Sequence, residues 1–434
     1  MKSNLPKVLH PILGRPMLWY SLQVARELSD EPPVVVVGHK ADEVIEKLGD
    51  GVKYALQEPQ LGTGHALHKA MPLISPDVDT VLVTYGDMPL LRAETLALLL
   101  EAHGSHPGPI TLMTVVMDDP HGFGRIVRDE RGNVIAIVEE AHATPEQKAI
   151  RELNTGIYAL DAKWTREHIP RLPLSPKGEY YLTDLVEMAV SEGLPVKAVQ
   201  VDDPDEVIGI NTRVHLAQAE AAMRRRINTD WMLKGVTIVD PDTTFIDPTA
   251  SIGRDTVIYP NTYLRGDTSI GEECIIGPNT MILDSQIGNR CEVRFSVVEM
   301  AILEDEVDVG PFAHLRKGAH LARGVHMGNF GEVKNSYLGP GTKMGHFSYI
   351  GDATIGENVN IGAGTITCNY DGEKKNPTHI EDGVFIGSDT MLVAPVRVGR
   401  GSKTGAGSVV TRDIPPGSLA YGVPARVKKR LSDE

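Results

Sequence analysis

The sequence predicts an α/β sheet domain over residues 1–210, a linker helix over 211–234 and a parallel β-helix over 235–434. Three observations carry that reading. Short β-branched runs alternate with amphipathic stretches through the first half, which is the pattern of strands layered with helices. From Arg213 to Lys234 neither Gly nor Pro interrupts a helical stretch that holds Ala217, Ala219, Ala221 and Ala222. Beyond Gly235 an aliphatic residue followed by glycine recurs at a short, regular period.

In the first half, Pro33 to Val37, Ala41 to Leu48, Val81 to Tyr85 and Ala93 to Glu101 read as strand, helix, strand and helix. In the linker, Arg224, Arg225 and Arg226 read as a solvated helix face. Behind it the repeat runs through Ile252-Gly253, Ile270-Gly271, Ile276-Gly277, Ile287-Gly288, Val309-Gly310 and Met327-Gly328. It continues at Leu338-Gly339, Met344-Gly345, Ile350-Gly351, Ile355-Gly356 and Ile361-Gly362, a step of five or six positions each time. Six residues hold one short strand and one tight turn. Three such units close a triangular coil whose aliphatic residues point inward, and Gly and Asn suit the positive φ of its corners. Stacked coils bury a continuous aliphatic column. Thr365 to His379 carries no repeat and reads as an inserted loop on a binding face.

Composition narrows the function. The 434 residues hold 58 acidic and 43 basic side chains, a net charge of -15, which repels nucleic acid and anionic lipid. Phosphorylated ligands must therefore be small and held by locally placed cations. With 41% hydrophobic residues the chain can fill cores. No apolar stretch approaches membrane-spanning length and no signal pattern opens the chain, so a soluble, cytoplasmic protein is expected. Cys274, Cys291 and Cys368 lie far apart and suggest neither a disulfide framework nor a zinc site.

Several residues have the chemistry for small anions. Lys7, beside Leu5-Pro6, can act as a point charge for phosphate. Gln57 precedes Leu61-Gly62-Thr63-Gly64-His65-Ala66, a Gly-rich turn opening a helix, where backbone N–H groups suit a phosphate or a base ring; a plain N-cap by Thr63 is equally compatible. Asp87 in Tyr85-Gly86-Asp87 follows a strand and sits where open α/β sheets bind ligands, which makes it a magnesium-ligand candidate, with a turn cap as the plainer alternative. Asn211 offers a second hard oxygen.

In the second half acyl transfer to an amine needs a base, and His346 is the candidate because an imidazole takes up a proton near neutral pH. The interval from Arg316 to Lys334 is three of the six-residue units, which stacks the two on one prism edge if three units make a coil; two unrelated solvated cations are the alternative. His346 follows Lys334 by two further units, and the three groups are expected to meet around a bound aminosugar. Tyr349 adds a hydroxyl. Asn360, Asn369 and Tyr370 flank the inserted loop and can bind sugar hydroxyls or a polarised carbonyl.

The ordered succession Leu5-Pro6-Lys7, Gln57 with Leu61 to Ala66, Tyr85-Gly86-Asp87, Gly122-Phe123-Gly124-Arg125, Val138-Glu139, Asn154-Thr155-Gly156 and Gly178-Glu179-Tyr180-Tyr181 resembles the nucleotidyltransferases that make nucleotide sugars. With the repeat behind it, essentially the whole chain resembles the bacterial bifunctional N-acetylglucosamine-1-phosphate uridyltransferase / glucosamine-1-phosphate N-acetyltransferase family. The resemblance implies a Rossmann-like nucleotidyltransferase domain followed by a left-handed β-helix, a homotrimer with acetyl-transfer sites between subunits, and UTP and acetyl-CoA as co-substrates. It implies that Gln57, Gly62 and Thr63 contact uracil and that Tyr85 and Gly86 line the same site. Gly124, Glu139 and Asn154 would hold the sugar, Asp87 and Asn211 would bind Mg2+, and Lys7 would neutralise phosphate. In the rear half it implies His346 as base, with Arg316, Lys334, Tyr349 and Asn360 on the aminosugar phosphate, and Ala363, Asn369, Tyr370, Ser388 and Ala406 on the sugar or acetyl-CoA. An acetyltransferase alone and a non-catalytic sugar-nucleotide-sensing scaffold are the alternatives.

Two departures stand out. The family opens with a strand and a Gly-rich loop, and this chain starts where that loop should end, so a sheet short of its first strand and weak uridylyl transfer are expected. A family Arg near the end of the chain is replaced by Val423, with Arg426 displaced.

Overall fold

A computed structural model describes residues 1–118 and 122–431. It divides into two compact units, Met1–Ala222 and Met223–Glu434.

The front unit opens with a small hairpin, β1 (Pro11–Ile12) and β2 (Arg15–Pro16), and continues through α1 (Met17–Leu28), β3 (Val34–Val37), α2 (Ala41–Leu48), β4 (Lys53–Leu56), α3 (Thr63–Ala70), β5 (Thr80–Val83), α4 (Ala93–Gly104), β6 (Ile110–Val116), β7 (Gly124–Arg128) and β8 (Val134–Val138). It is completed by α5 (Pro145–Lys148), β9 (Glu152–Asp161), α6 (Ala162–His168), α7 (Asp184–Ser191) and β10 (Val196–Gln200). The Ala-rich stretch forms α8 (Arg213–Leu233), which spans the junction of the two units. The main sheet runs β10-β6-β9-β7-β8, and β5 also pairs with β9. Its centre, β9, is apolar for most of its length and antiparallel to β5, β6 and β7, so the sheet is mixed. Ile110, Leu112, Met113, Leu153, Ile157 and Ala159 are fully buried there, each worth about 1.5–3 kcal/mol of transfer free energy for the larger side chains.

Among the described residues β3 pairs with β4 alone and β5 with β9 alone. Between β3 and β5 lies a cavity of about 810 Å³ lined by Val34 to Val37, Thr80 to Val83, Leu22, Ala25 and Leu67. Among the described residues no strand lies between β3 and β5, and backbone groups on the two facing edges lack a ladder partner.

The rear unit is a left-handed parallel β-helix whose strands form three faces. Face 1 begins at Thr237–Ile238, face 2 at Thr244–Ile246 and face 3 at Ser251–Ile252. Neighbouring coils pair in parallel register, Val257 with Ile275, Ile275 with Glu292 and Glu292 with Asp308, so one coil is three units long or slightly less. The step is longer at the insertion, where Ala353 pairs with Thr378 and Asn360 with Phe385. Ile258, Ile276, Val293, Val309, Met327 and Met344 stack in one buried column of face 1.

The repeat glycines have a different reason from the one expected. Most do not take positive φ; corner positions with positive φ instead include Glu273, Arg290, Phe312 and Asp352. A Cβ on Gly253 would stand 2.5 Å from the Gly271 carbonyl carbon, and one on Gly362 would stand 2.6 Å from the Ser388 nitrogen. Glycine is needed there because adjacent coils approach backbone to backbone.

Two further expectations are corrected. Thr365 to His379 is not a bare loop: Ile366–Cys368 continues face 2 and Thr378–Ile380 continues face 3, so the insertion is confined to the connection between them. Arg224 is not solvated either; its guanidinium lies 4.9 Å from the Phe245 ring centre. Among the described residues, no helix is long and apolar enough to cross a membrane, and the three cysteines are free.

Candidate functional sites

In the front unit, the turn after β5 carries Tyr85, Gly86 and Asp87. A Cβ on Gly86 would press on Leu18 of α1 at 2.8 Å, so glycine lets the turn settle against that helix. Lys7 lies in a short helical turn, Lys7–Leu9, and places its ammonium 2.5 Å from Asp87 Oδ2 and 3.0 Å from Asn211 Oδ1. A cation thus stands between the two oxygens expected to bind magnesium. Among the described residues no cluster of three His, Cys, Asp or Glu could hold a metal. Asp87 and Asn211 thus present two hard oxygens to one positive charge.

Gly62 caps α3 and Thr63 is its first residue, without a side-chain cap bond. The N-cap alternative for Thr63 fails, because its Oγ1 accepts from the Leu182 N–H at 3.2 Å. Gly62 has φ 92°, and a Cβ there would stand 2.7 Å from the Tyr180 carbonyl oxygen. Gln57 Nε2 donates to the Gly62 carbonyl at 2.8 Å, which leaves Gln57 Oε1 to accept from a ligand. Lys7, Gln57, Thr63, Tyr85 and Gly86 all border the cavity between β3 and β5.

Around Glu139 the structure gathers Asn154, Tyr85 and Gly124 with Tyr158, Thr183 and Asp184, the last three of which the sequence reading assigned no role. Asn154 Nδ2 donates to the Tyr158 hydroxyl at 2.8 Å, and the Thr183 hydroxyl lies 3.5 Å from Glu139 Oε1. Burial holds the Glu139 carboxyl above its ordinary pKa, opposed by the Thr183 bond. Burial pushes Asp184 up to about 6, with Glu187 and Glu139 adding repulsion. Tyr85 is pushed up to about 12 by burial and by the charges of Asp87 and Glu139. Gly124 lies against Ile137, and Glu139 Oε1 would stand 3.7 Å from a Cβ on it. The segment Gly178 to Tyr181 packs on the Gly62 turn, where the Tyr180 N–H donates to the Leu61 carbonyl and the Tyr180 carbonyl accepts from the Gly64 N–H.

In the rear unit, Arg316 and Lys334 end adjacent strands of face 2, whose register pairs Leu315 with Val333 and Lys334 with Gly351. The whole-coil spacing does stack them. Arg316 donates to Glu332 at 2.7 Å. Lys375, on the inserted loop and absent from the sequence reading, neighbours Lys334; its side chain and, after it, the charge of Arg316 pull the Lys334 pKa down. The signal for Lys375 was the run Lys374-Lys375 within the insertion, but the distance in sequence hid its convergence on Lys334. Tyr349 lies on the same face, and Asn369 Nδ2 reaches its hydroxyl at 3.4 Å. Tyr370 is exposed and its hydroxyl donates to the Gly372 carbonyl.

His346 is not beside this cluster. It occupies the corner between faces 1 and 2, five positions before Gly351, which at about 3.3 Å per residue is roughly 16 Å along the strand. Two units are only two-thirds of a coil, so the spacing from Lys334 moves His346 to another corner. Ala363, Ser388 and Ala406 follow Gly362, Gly387 and Gly405 at that same corner on later coils, and Asn360 lies beside them on face 1. The structure therefore offers one row from His346 to Ala406 and one cation cluster, at the two borders of face 2. Val423 sits in the turn of a terminal hairpin, and Arg426 pairs across from Tyr421 with its guanidinium on the Ala425 carbonyl.

Residues 1–152 match the family model of the MobA-like NTP transferase domain, and residues 249–284 and 377–412 match that of the bacterial transferase hexapeptide, six repeats. The chain is 49% identical over 434 residues to the bifunctional protein GlmU of Pelobacter propionicus, covering 99% of this chain and 94% of that protein. It is 49% identical to that of Heliobacterium modesticaldum, covering 97% and 92%, and 48% identical to that of Trichlorobacter lovleyi, covering 99% and 94%.

Proposed function

Because the chain belongs to the family of bifunctional GlmU proteins, we propose that it makes UDP-N-acetylglucosamine in two transfers, one in each unit. The protein is an enzyme: its rear unit moves an acetyl group from acetyl-CoA to glucosamine 1-phosphate, and its front unit moves a uridylyl group from UTP to the N-acetylglucosamine 1-phosphate so formed. The observation that supports this reading is the stacking of Arg316 and Lys334 on face 2, neighboured by Lys375 and beside Tyr349 and Asn369, which gathers cations on an otherwise acidic protein.

In acetyl transfer the three cations hold the phosphate, and Asn360, Asn369 and Tyr370 address the sugar. The amine nitrogen attacks the thioester carbonyl carbon, His346 takes the proton that the nitrogen sheds, the C–S bond breaks, and the proton passes to the leaving sulfur so that coenzyme A departs as its thiol. Ala363, Ser388 and Ala406 form the small-residue row along which the coenzyme lies. The separation of His346 from the cations supports a homotrimer in which each site closes between copies. So does the exposed ladder of Phe295, Phe312, Phe330 and Phe347 along the His346 corner.

In uridylyl transfer a phosphate oxygen of the sugar attacks the α-phosphorus of UTP in line, and pyrophosphate leaves. Gln57 Oε1 accepts from the uracil N–H beside the Gly62 and Thr63 turn, Tyr85 and Gly86 wall the pocket, and Gly124, Glu139 and Asn154 hold the acetylated sugar. Lys7 offsets phosphate charge. Asp87 and Asn211 would hold a divalent cation, Mg2+, which when bound would supply further charge neutralisation at the phosphates. The free thiols suit a cytoplasmic, reducing setting.

The test separates the two reactions, following thiol release with acetyl-CoA and glucosamine 1-phosphate, and pyrophosphate release with UTP and N-acetylglucosamine 1-phosphate. His346→Ala is expected to lower thiol release by about a hundredfold or more and to leave the melting of the β-helix unchanged. Retained acetyl transfer in that variant would remove His346 as the base, and no thiol release in the parent protein would remove the acetyltransferase assignment.

A further inference from the structure

Asp352 follows Gly351 at the end of a face 2 strand, and its two carboxylate oxygens are divided between two amides. Asn335 Nδ2 donates to Oδ1 at 2.6 Å and Asn369 Nδ2 donates to Oδ2 at 2.6 Å. The oxygen and nitrogen of a side-chain amide are told apart by their partners. An ionised carboxylate has no proton to give, so Asn369 must turn its nitrogen toward Asp352 and its carbonyl oxygen away. The same nitrogen also faces the Tyr349 hydroxyl. Asn369 is buried, and its backbone groups are engaged: the N–H donates to the Thr367 carbonyl and the carbonyl accepts from the Asn376 N–H.

We propose that Asp352 is a positioning residue for acetyl transfer: by holding the Asn369 amide nitrogen it turns the Asn369 carbonyl oxygen toward the aminosugar, so that the site offers an acceptor to the N–H or O–H groups of that substrate. The proposal rests on the acetyltransferase reading above. The negative charge behind the amide polarises it and strengthens Oδ1 as an acceptor. Asp352 also lies close enough to Lys334 to favour its charged form, and therefore offsets part of the positive charge of the cation cluster.

These two roles predict opposite effects on two kinetic constants. Asp352→Asn keeps the size but replaces a pure acceptor by a group that also donates, so Asn369 can turn over and present N–H groups to the substrate. The same change removes a negative charge beside the phosphate cluster. The expected result is a kcat lower by about tenfold or more, with a KM for glucosamine 1-phosphate that is unchanged or lower. A merely structural loss would raise KM and lower the melting temperature together.

The decisive variant is the exchange Asp352→Asn with Asn369→Asp. It restores a donor facing an acceptor and leaves a carboxylate oxygen, an acceptor, toward the sugar, so it should recover most of the lost kcat. Asn335→Gly, which removes the other amide and keeps a residue at ease with the φ of 46° found there, should leave kcat within about twofold. Thiol release is followed for each variant beside its thermal melting. If the parent protein transfers acetyl groups and Asp352→Asn matches its kcat, or the exchange variant is no better than Asp352→Asn, the positioning role is overturned. If the parent itself transfers none, it is the acetyltransferase reading that falls.

Discussion

Gly351→Ala is the smallest change that should disable the rear site. Gly351 is buried where face 2 passes beneath Tyr349 and Asn369, and its φ is not in the left-handed region, so the backbone accepts alanine without strain. The obstacle is the added methyl. A Cβ there would stand 2.7 Å from Asn369 Nδ2 and 2.7 Å from Tyr349 Cζ, and closer still to the Tyr349 hydroxyl. Ordinary contact begins near 3.4 Å, so both side chains must retreat by about 0.7 Å or more, and Asn369 must stretch its bond to Asp352. Displacement on this scale at groups that orient a substrate can cost on the order of a hundredfold in rate, and overpacking a filled position costs about 1–3 kcal/mol of stability. The assay is kcat/KM for thiol release at saturating acetyl-CoA, with thermal melting in parallel. A variant that melts within a degree or two of the parent and keeps its kcat/KM would refute the placement of Tyr349 and Asn369 over the acceptor sugar.

Three other outcomes follow from the same coordinates. Gly328→Ala puts a Cβ 2.5 Å from the Gly345 carbonyl carbon, with backbone rather than a flexible side chain to displace; a loss of about 3 kcal/mol in denaturant unfolding is expected, and a neutral effect would reject the close-approach account of the repeat glycines. Asp184 should make the front unit pH-dependent. Its folded pKa is raised from 3.8 to about 6, so the folded state holds the extra proton, and the contribution is complete below pH 3.8 and lost as pH rises through about 6. Asp184→Asn should flatten the fall of melting temperature across that window, and identical slopes would exclude Asp184 as the cause. Finally, the amides on the cavity-facing edges of β3 and β5 should exchange with solvent deuterium faster than those of β6 and β9, which are paired on both sides; equal protection would mean that the slot is closed in solution.

Much of the architecture is written in local pattern. The β-helix is legible because each six-residue unit repeats the same physical demand, an aliphatic residue inward and a residue without a side chain where coils touch. Arg316 and Lys334 could be stacked from sequence because the interval between them is one full coil in that register. The reason for the repeat glycines could not be read, because conformation and close approach leave the same letter in the sequence.

The tertiary structure decided what depends on the direction of side chains across distant segments. It carried His346 to the far corner of face 2, because its interval from Lys334 is a fraction of a coil and not a whole one. It brought Lys375 from the insertion onto Lys334, set Lys7 between Asp87 and Asn211, and turned the Asn369 amide against Asp352. Periodicity along a chain specifies which face a residue occupies. Which groups meet there is set by how separate segments pack, and a hydrogen bond reports that packing only once both partners have been placed.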